Sequence, residues 1–480
     1  MAIFKIGWGR EDITPIGKVC KKASLMGQYY ERVTGEVRDP ICATALAIES
    51  SEEDMAILVS MDLCIIPDTL IAATRKKLID LAPDFPSEKL IMAATHIHTG
   101  PYLADSNLQN LWGPRYQNFT DDPEVISPKG YTDFAAESAA RTAATAWVNR
   151  KPGGMAAAFG RVALPHCRRT CYKSGRAAMY GSTDTPDFLR MEGGADTGVE
   201  YLFFYDADGK TTGAVINLAC PAQTIEHHRG ISADLWGEVR RQWPDCENIL
   251  PLCGAAGDIA SRDLVRRGRG EKKMSDTEEM ELQAKRVVRE SRYALSTVKT
   301  EDVSYDIPVK HIVRNVPLPL RTIGEEEYKK AKLIYDALEW DYAHNDYSGD
   351  YGGSIPLRAD DRPAYVDAAG AVLRYGLQSE TNLVAAEVHV LRLGDAAITT
   401  NPFEMFQDYG MRIKARSPAE QTIIAQLACG DLGYLPTAIG ITGGGYSTNI
   451  SNGQCGPEAG EIYVEKILGM INDLYKSEKT

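Results

Sequence analysis

Apolar and polar positions fall in alternating blocks along this chain. Apolar runs bounded by Gly, Pro or Asp read as buried strands, at 42–49, 55–66, 89–95, 155–163, 201–205, 212–220 and 248–252. Further runs lie at 303–312, 385–393, 396–400 and 422–428, and the chain enters a first strand almost at once. Between the runs, apolar residues recur with the helical period of about 3.6 at 68–81, 131–148, 233–242, 275–296, 325–339, 403–414 and 457–475. The last opens on Gly456-Pro457-Glu458, a proline at the first helical position with an acid beside it. Strands alternating with helices predict an α/β protein, a mixed β-sheet core flanked by helices. No repeat, linker or composition break divides the chain, so residues 1–480 read as one domain. Segments 102–129, 341–363 and 429–456 are too long and irregular for simple turns and are expected to border a site.

Composition narrows the class. With 44% hydrophobic and 25% charged residues the chain is globular, and its net charge of −13 weighs against nucleic acid and anionic membranes as partners. The basic run 262–273 is followed by Asp276, Glu278, Glu279 and Glu281, so it reads as a solvated loop and helix start. The N-terminus lacks the apolar core of a secretory signal, and no run approaches the roughly 18 apolar residues of a spanning helix. Ten scattered cysteines suit a reducing compartment. The expectation is a cytoplasmic protein without a stable membrane anchor.

Polar residues gather where apolar runs end. Only 8 of 480 residues are histidine, yet His96 and His98 stand one residue apart after the run at 89–95. On an extended backbone such residues face the same side, so both imidazoles can serve one pocket as metal ligands or proton carriers. The run at 212–220 ends in Cys220-Pro-Ala-Gln223-Thr-Ile-Glu226-His227-His228-Arg229, either a ligand and acid–base cluster or a solvated loop. Cys253-Gly-Ala-Ala-Gly257-Asp258 offers exposed amides or a plain turn, and no Gly-Lys-Ser/Thr follows that would make it a phosphate loop. Glu404, in Asn401-Pro-Phe-Glu404, is either functional or a helix-start carboxylate. Cys167 and Cys171, beside His166, match no common zinc spacing and read as core thiols.

Taken in order, these pieces resemble the catalytic domain of the neutral/alkaline non-lysosomal ceramidase family, zinc-dependent amidases. The resemblance runs through Gly9-Arg-Glu-Asp12-Ile-Thr-Pro15, Arg38-Asp39-Pro40, Ser60-Met-Asp62, Ala94-Thr95-His96-Ile-His98-Thr-Gly100-Pro101 and Gly257-Asp258. It continues through Pro402-Phe-Glu404, Gly433-Tyr434-Leu-Pro-Thr437 and Gly445-Tyr446. It implies the family's catalytic fold without the C-terminal immunoglobulin-like domain. It also implies zinc, or another divalent metal, held by His96, Glu404 and Tyr434, with His98 beside it.

Two departures matter. Where the family carries its second ligand histidine, this chain has Cys220-Pro221-Ala222-Gln223, so His228 or His227 would have to supply that ligand. The family's Gly-Asp-Val-Ser-Pro loop reads Gly257-Asp258-Ile259-Ala260-Ser261, without the serine. The candidate set is therefore His96, His228, Glu404 and Tyr434 for the metal. His98, His227, Asp258 and Tyr446 are candidates for catalysis, and Arg32, Gln223, Glu226 and Arg229 for substrate. Trp112, Tyr116, Tyr131, Tyr180, Tyr342, Tyr347 and Tyr351 in and near the irregular segments suit a polar ligand, sugar-like or N-acyl. The reading is a metal-dependent hydrolase of an amide or related bond in a small polar substrate. The alternatives are a carbohydrate-active enzyme on the same fold and a non-catalytic carbohydrate-binding protein.

Overall fold

The continuous apolar runs become the central strands. Cys42–Glu49 and Ala396–Thr400 form over the expected residues, and Leu90–Ala94, Thr211–Leu218 and Ile249–Cys253 lie within one or two residues of theirs. The computed structural model describes residues 3–28, 31–50, 54–104, 120, 122–265, 274–337 and 361–476. Trp112, Tyr116, Tyr342, Tyr347, Tyr351 and most of segments 102–129 and 341–363 lie outside them.

One sheet holds eight strands in the order Ile249–Cys253, Thr211–Leu218, Gly198–Asp206, Lys151–Arg161, Lys5–Asp12, Cys42–Glu49, Met55–Met61, Leu90–Ala94. Its two outermost pairs are parallel and its inner pairs antiparallel. The sheet curls until its edges approach: Ser60 Oγ, near one edge, donates to Pro251 O on the other. A second sheet runs Val309–Pro319, Leu383–Leu393, Ala396–Thr400, Gln421–Ala425, with its last pair parallel. Asn217 Nδ2 ties the two sheets, donating to Leu252 O at 3.1 Å and Ile424 O at 2.8 Å.

Small residues set the layer spacing. Helix Pro128–Val148, capped by Ser127, buries Ala135, Ala139, Ala143 and Ala146 against the strand Lys5–Asp12. The approach is so close that a Cβ on Gly7 would lie 2.1 Å from Ala146 O. Asp68–Leu81 packs beside it, Asp276–Thr297 packs with Asp234–Gln242, and Pro457–Lys476 lays Tyr463, Val464, Ile467 and Ile471 on the second sheet. Among the described residues no helix is long and apolar enough to cross a membrane.

Three expectations moved. The helix expected at 403–414 starts at Gln407, because Glu404–Met405 pairs as a short parallel strand with Tyr434–Leu435. Phe403, Met405 and Phe406 are all buried, so this apolar run mimics a helical face. The strand expected at 303–312 forms at Val309–Pro319, an edge position where Pro317 and Pro319 cost no ladder bond. Helix Asp361–Leu377, whose alanine-rich sequence has little amphipathic period, overlaps an expected irregular segment.

Candidate functional site

Strand ends deliver the site. Leu90–Ala94 leads to His96, Thr211–Leu218 to Gln223, Ile249–Cys253 to Gly257 and Asp258, Ala396–Thr400 to Glu404, and Gln421–Ala425 towards Tyr434. Open α/β sheets place ligands at such carboxyl ends.

His96 sits in the left-handed region at φ 63° and is almost fully buried. That backbone costs a non-glycine residue on the order of 1 kcal/mol or more and is held by its N–H donating to Leu63 O at 2.9 Å. Nδ1 lies 2.7 Å from Cys64 O. A carbonyl only accepts, so Nδ1 carries the hydrogen and Nε2 keeps its lone pair. Nε2 faces Glu404 Oε2 at 3.2 Å. Two lone-pair atoms hold that distance only with a cation or a proton between them. The edge of a tetrahedral zinc site is about 3.3–3.6 Å for bonds of 2.0–2.2 Å, so the spacing lies close to the lower end for a shared metal.

Tyr434 enters through backbone register. Glu404 and Tyr434 are directly paired in the short parallel ladder, so both belong to one site. Gly257 makes this possible, since a Cβ there would meet Glu404 O at 2.3 Å. The Tyr434 hydroxyl bonds Glu404 and accepts from Arg168 Nη2 at 2.9 Å. Arg168 also donates to Gly257 O at 2.9 Å and lies 3.8 Å from Glu404 Oε2. Burial pushes the Glu404 carboxyl up, but His96 and Arg168 outweigh it and hold Glu404 below the ordinary range. Burial likewise opposes charge on His96, and Glu404 and Cys64 overcome it, raising His96 well above an ordinary imidazole.

His98 stands beside His96 with its ring nearly perpendicular and the centroids 5.2 Å apart. Its Nε2 lies 2.7 Å from Gln223 Nε2. An amide nitrogen only donates, so His98 Nε2 accepts, and Nδ1–H faces Glu226 Oε2 at 3.5 Å. Burial works against a second proton, but Cys64 and Glu226 raise the ring's affinity for one. Burial lifts Glu226, yet its bond to His98 takes it down to about 2. Gln223 Oε1 is buried without a partner, an acceptor left for a ligand. Gly27, at φ 104°, makes room for His98: a Cβ there would lie 2.4 Å from the ring's Cγ.

Sequence reasoning missed Cys64 and Arg168. The donor atoms of Cys64, His96 and His98 all lie within 4.8 Å of one another. Burial raises the Cys64 thiol, but His98 and His96 bring it down to about 7. Arg168 lies between the short strands His166–Cys167 and Arg169–Tyr172, where no apolar run gives a signal.

The other candidates line the rim of this cluster or lie away from it. His228 is exposed, with Arg38, Asp39, Glu36 and Arg32 as its charged neighbours, and is not brought to His96. His227 and Arg229 are also exposed, and His227 Nε2 lies 3.9 Å from Glu226 Oε1. Arg32 is 2% exposed and spends its guanidinium on the carbonyls of Met26, His98, Glu226 and His228, so it staples the site's walls together. Asp258 Oδ1 accepts from Gln407 N at 2.8 Å and its carbonyl from Arg168 N. Its side chain lines a cavity of about 580 Å³ with Glu200 and Lys414. The Tyr446 ring packs edge-on to Tyr434 at 5.7 Å. Tyr131 is core, its hydroxyl donating to Ile13 O, and Tyr180 lies against Arg168.

No protein-family model matches the sequence, and no curated protein matches it. The structure does match solved ones, two ceramidases among them. Neutral ceramidase from Pseudomonas aeruginosa superposes with a TM-score of 0.69 at 16% identity, over 99% of this chain and 75% of that one. A ceramidase complexed with C2 superposes at 0.70 and 17% identity, over 99% and 76%. The chain has the neutral ceramidase fold.

Proposed function

We propose that this chain, built on the neutral ceramidase fold, is a metal-dependent hydrolase that cleaves the amide bond of a small N-acyl substrate. The observation that carries the reading is His96 Nε2 facing Glu404 Oε2 at 3.2 Å with Tyr434 paired beside Glu404. His96, Glu404 and Tyr434 offer nitrogen and oxygen donors that suit zinc, and Pro221, where the resemblance expects a histidine, offers none. Zinc held there would acidify a water and polarise the scissile carbonyl.

The chain's own residues do the rest. His98, neutral with Nε2 accepting from Gln223, takes a proton on Nε2 as the Gln223 amide turns its oxygen to that nitrogen, and passes it to the leaving amine, with Glu226 stabilising the charged ring. Gln223 Oε1 accepts a substrate N–H or O–H. Arg168 fixes the Tyr434 hydroxyl and offsets negative charge gathering on the substrate oxygen side of the site. The test is hydrolysis of a panel of N-acyl amines of graded chain length beside glycosides. Amide turnover that disappears in His98→Ala supports the reading, and turnover of glycosides alone sinks it.

A further inference from the structure

Two other histidines, His389 buried and His311 half-buried, form a chain of contacts whose hydrogens do not add up. His311 Nδ1 lies 3.2 Å from Met55 O, so that nitrogen carries the hydrogen and Nε2 accepts. His389 Nδ1, 3.0 Å from His311 Nε2, must then be the donor. This leaves the lone pair of His389 Nε2 aimed at Glu387 Oε1, 2.9 Å away. Glu387 is itself ionised, because Arg75 donates to both of its oxygens at 2.6 and 2.8 Å. Two acceptors therefore face each other, as His96 and Glu404 do.

A third donor completes the group. The ligating atoms of Glu387, His389 and Cys429 all lie within 4.8 Å of one another. Cys429 is buried and held at φ 58°, one of few non-glycine residues in the left-handed region; His96 is another. We propose that Glu387, His389 and Cys429 form a second metal site, separate from His96 and Glu404, that takes a borderline-soft divalent ion such as zinc or cobalt. A thiolate, an imidazole and a carboxylate are ligands such ions accept together. Arg75 orients the carboxylate from behind, as outer partners of metal ligands do. Binding displaces the Cys429 thiol proton to solvent and forms a metal–sulfur bond, with no change of oxidation state. The Glu387 side chain, 23% exposed, provides the way in.

The site bears on the first one. Cys429 N donates to Met92 O on the strand that leads to His96, and residue 429 opens the loop that carries Tyr434. An ion here pins that loop at its start.

The experiment is cobalt titration of the metal-stripped full chain, followed by absorbance. The wild type should bind two equivalents and show a near-ultraviolet thiolate-to-cobalt band. His96→Ala should lose one equivalent and keep the band; Cys429→Ser should lose the other equivalent and the band; Cys64→Ser should keep it. His389→Gln gives a second route if Cys429→Ser fails to fold by circular dichroism, and should also lose the band. Cobalt binding without a thiolate band overturns the proposal and puts a proton between His389 and Glu387. A band that survives His389→Gln and a folded Cys429→Ser overturns it as well.

Discussion

Arg168 donates to the phenolic oxygen of Tyr434 at 2.9 Å, placing a buried permanent cation 3.8 Å from the carboxylate of Glu404. It both orients Tyr434 and balances the carboxylate. Arg168→Leu leaves Glu404 and Gly257 O short of a partner, and should cost about 3–5 kcal/mol, as broken buried pairs do. Arg168→Lys keeps the charge but not the planar fork, whose Nη2 serves Tyr434 and Gly257 O while Nη1 reaches Tyr180. It should recover much of the stability and little of the turnover. Chemical denaturation beside amide hydrolysis separates the two effects.

Arg32 was expected to touch substrate, yet its guanidinium joins the carbonyl of His98 to those of Glu226 and His228. Arg32→Ala leaves these carbonyls without their charged donor and should cost about 3 kcal/mol or more. Turnover should fall with it through kcat, because His98 and Glu226 lose their common anchor. A variant with unchanged stability and a raised KM alone would restore the substrate-binding role.

Gly27→Ala tests the seat of His98. The substitution strains a backbone at φ 104° and drives a methyl group into the imidazole. The metal content should survive while kcat falls by roughly 10-fold or more, the loss expected of a misplaced proton carrier. Unchanged kcat would remove His98 from the chemistry.

Asp258 gives a pH signature. Burial pushes its carboxyl up from 3.8 to about 6, so the native state binds the proton more tightly than the unfolded chain. Its contribution to stability is full below about pH 4 and is lost as the pH rises through 6. The loss is on the order of 3 kcal/mol at most. Asp258→Asn should flatten that decline in denaturation curves taken across pH 4 to 7; an identical decline in the variant would assign it to another group.

Much of this architecture was legible in the residues. Buried strands such as Cys42–Glu49 announce themselves because both faces are apolar, and His96-Ile-His98 stands out because histidine is rare. The pairing of Glu404 with Tyr434 was not legible as geometry: a two-residue ladder has no period, and Phe403 and Phe406 imitated a helix. Arg168 gave no signal, since its short strands carry no apolar run. The Glu-His-His-Arg run misled in the opposite way. Its charges cluster in sequence, but Arg32 gathers the run by its backbone and leaves His227 and His228 exposed.

The most direct measurement is the metal content of the purified chain beside His96→Ala, Glu404→Ala and His228→Ala, each assayed for hydrolysis of one N-acyl amine. His96 and Glu404 share one ion in this account, so each of their variants should lose one equivalent and at least roughly 100-fold in turnover. His228→Ala should keep both metal and activity. Metal and turnover retained in His96→Ala and Glu404→Ala, or lost in His228→Ala, would contradict it.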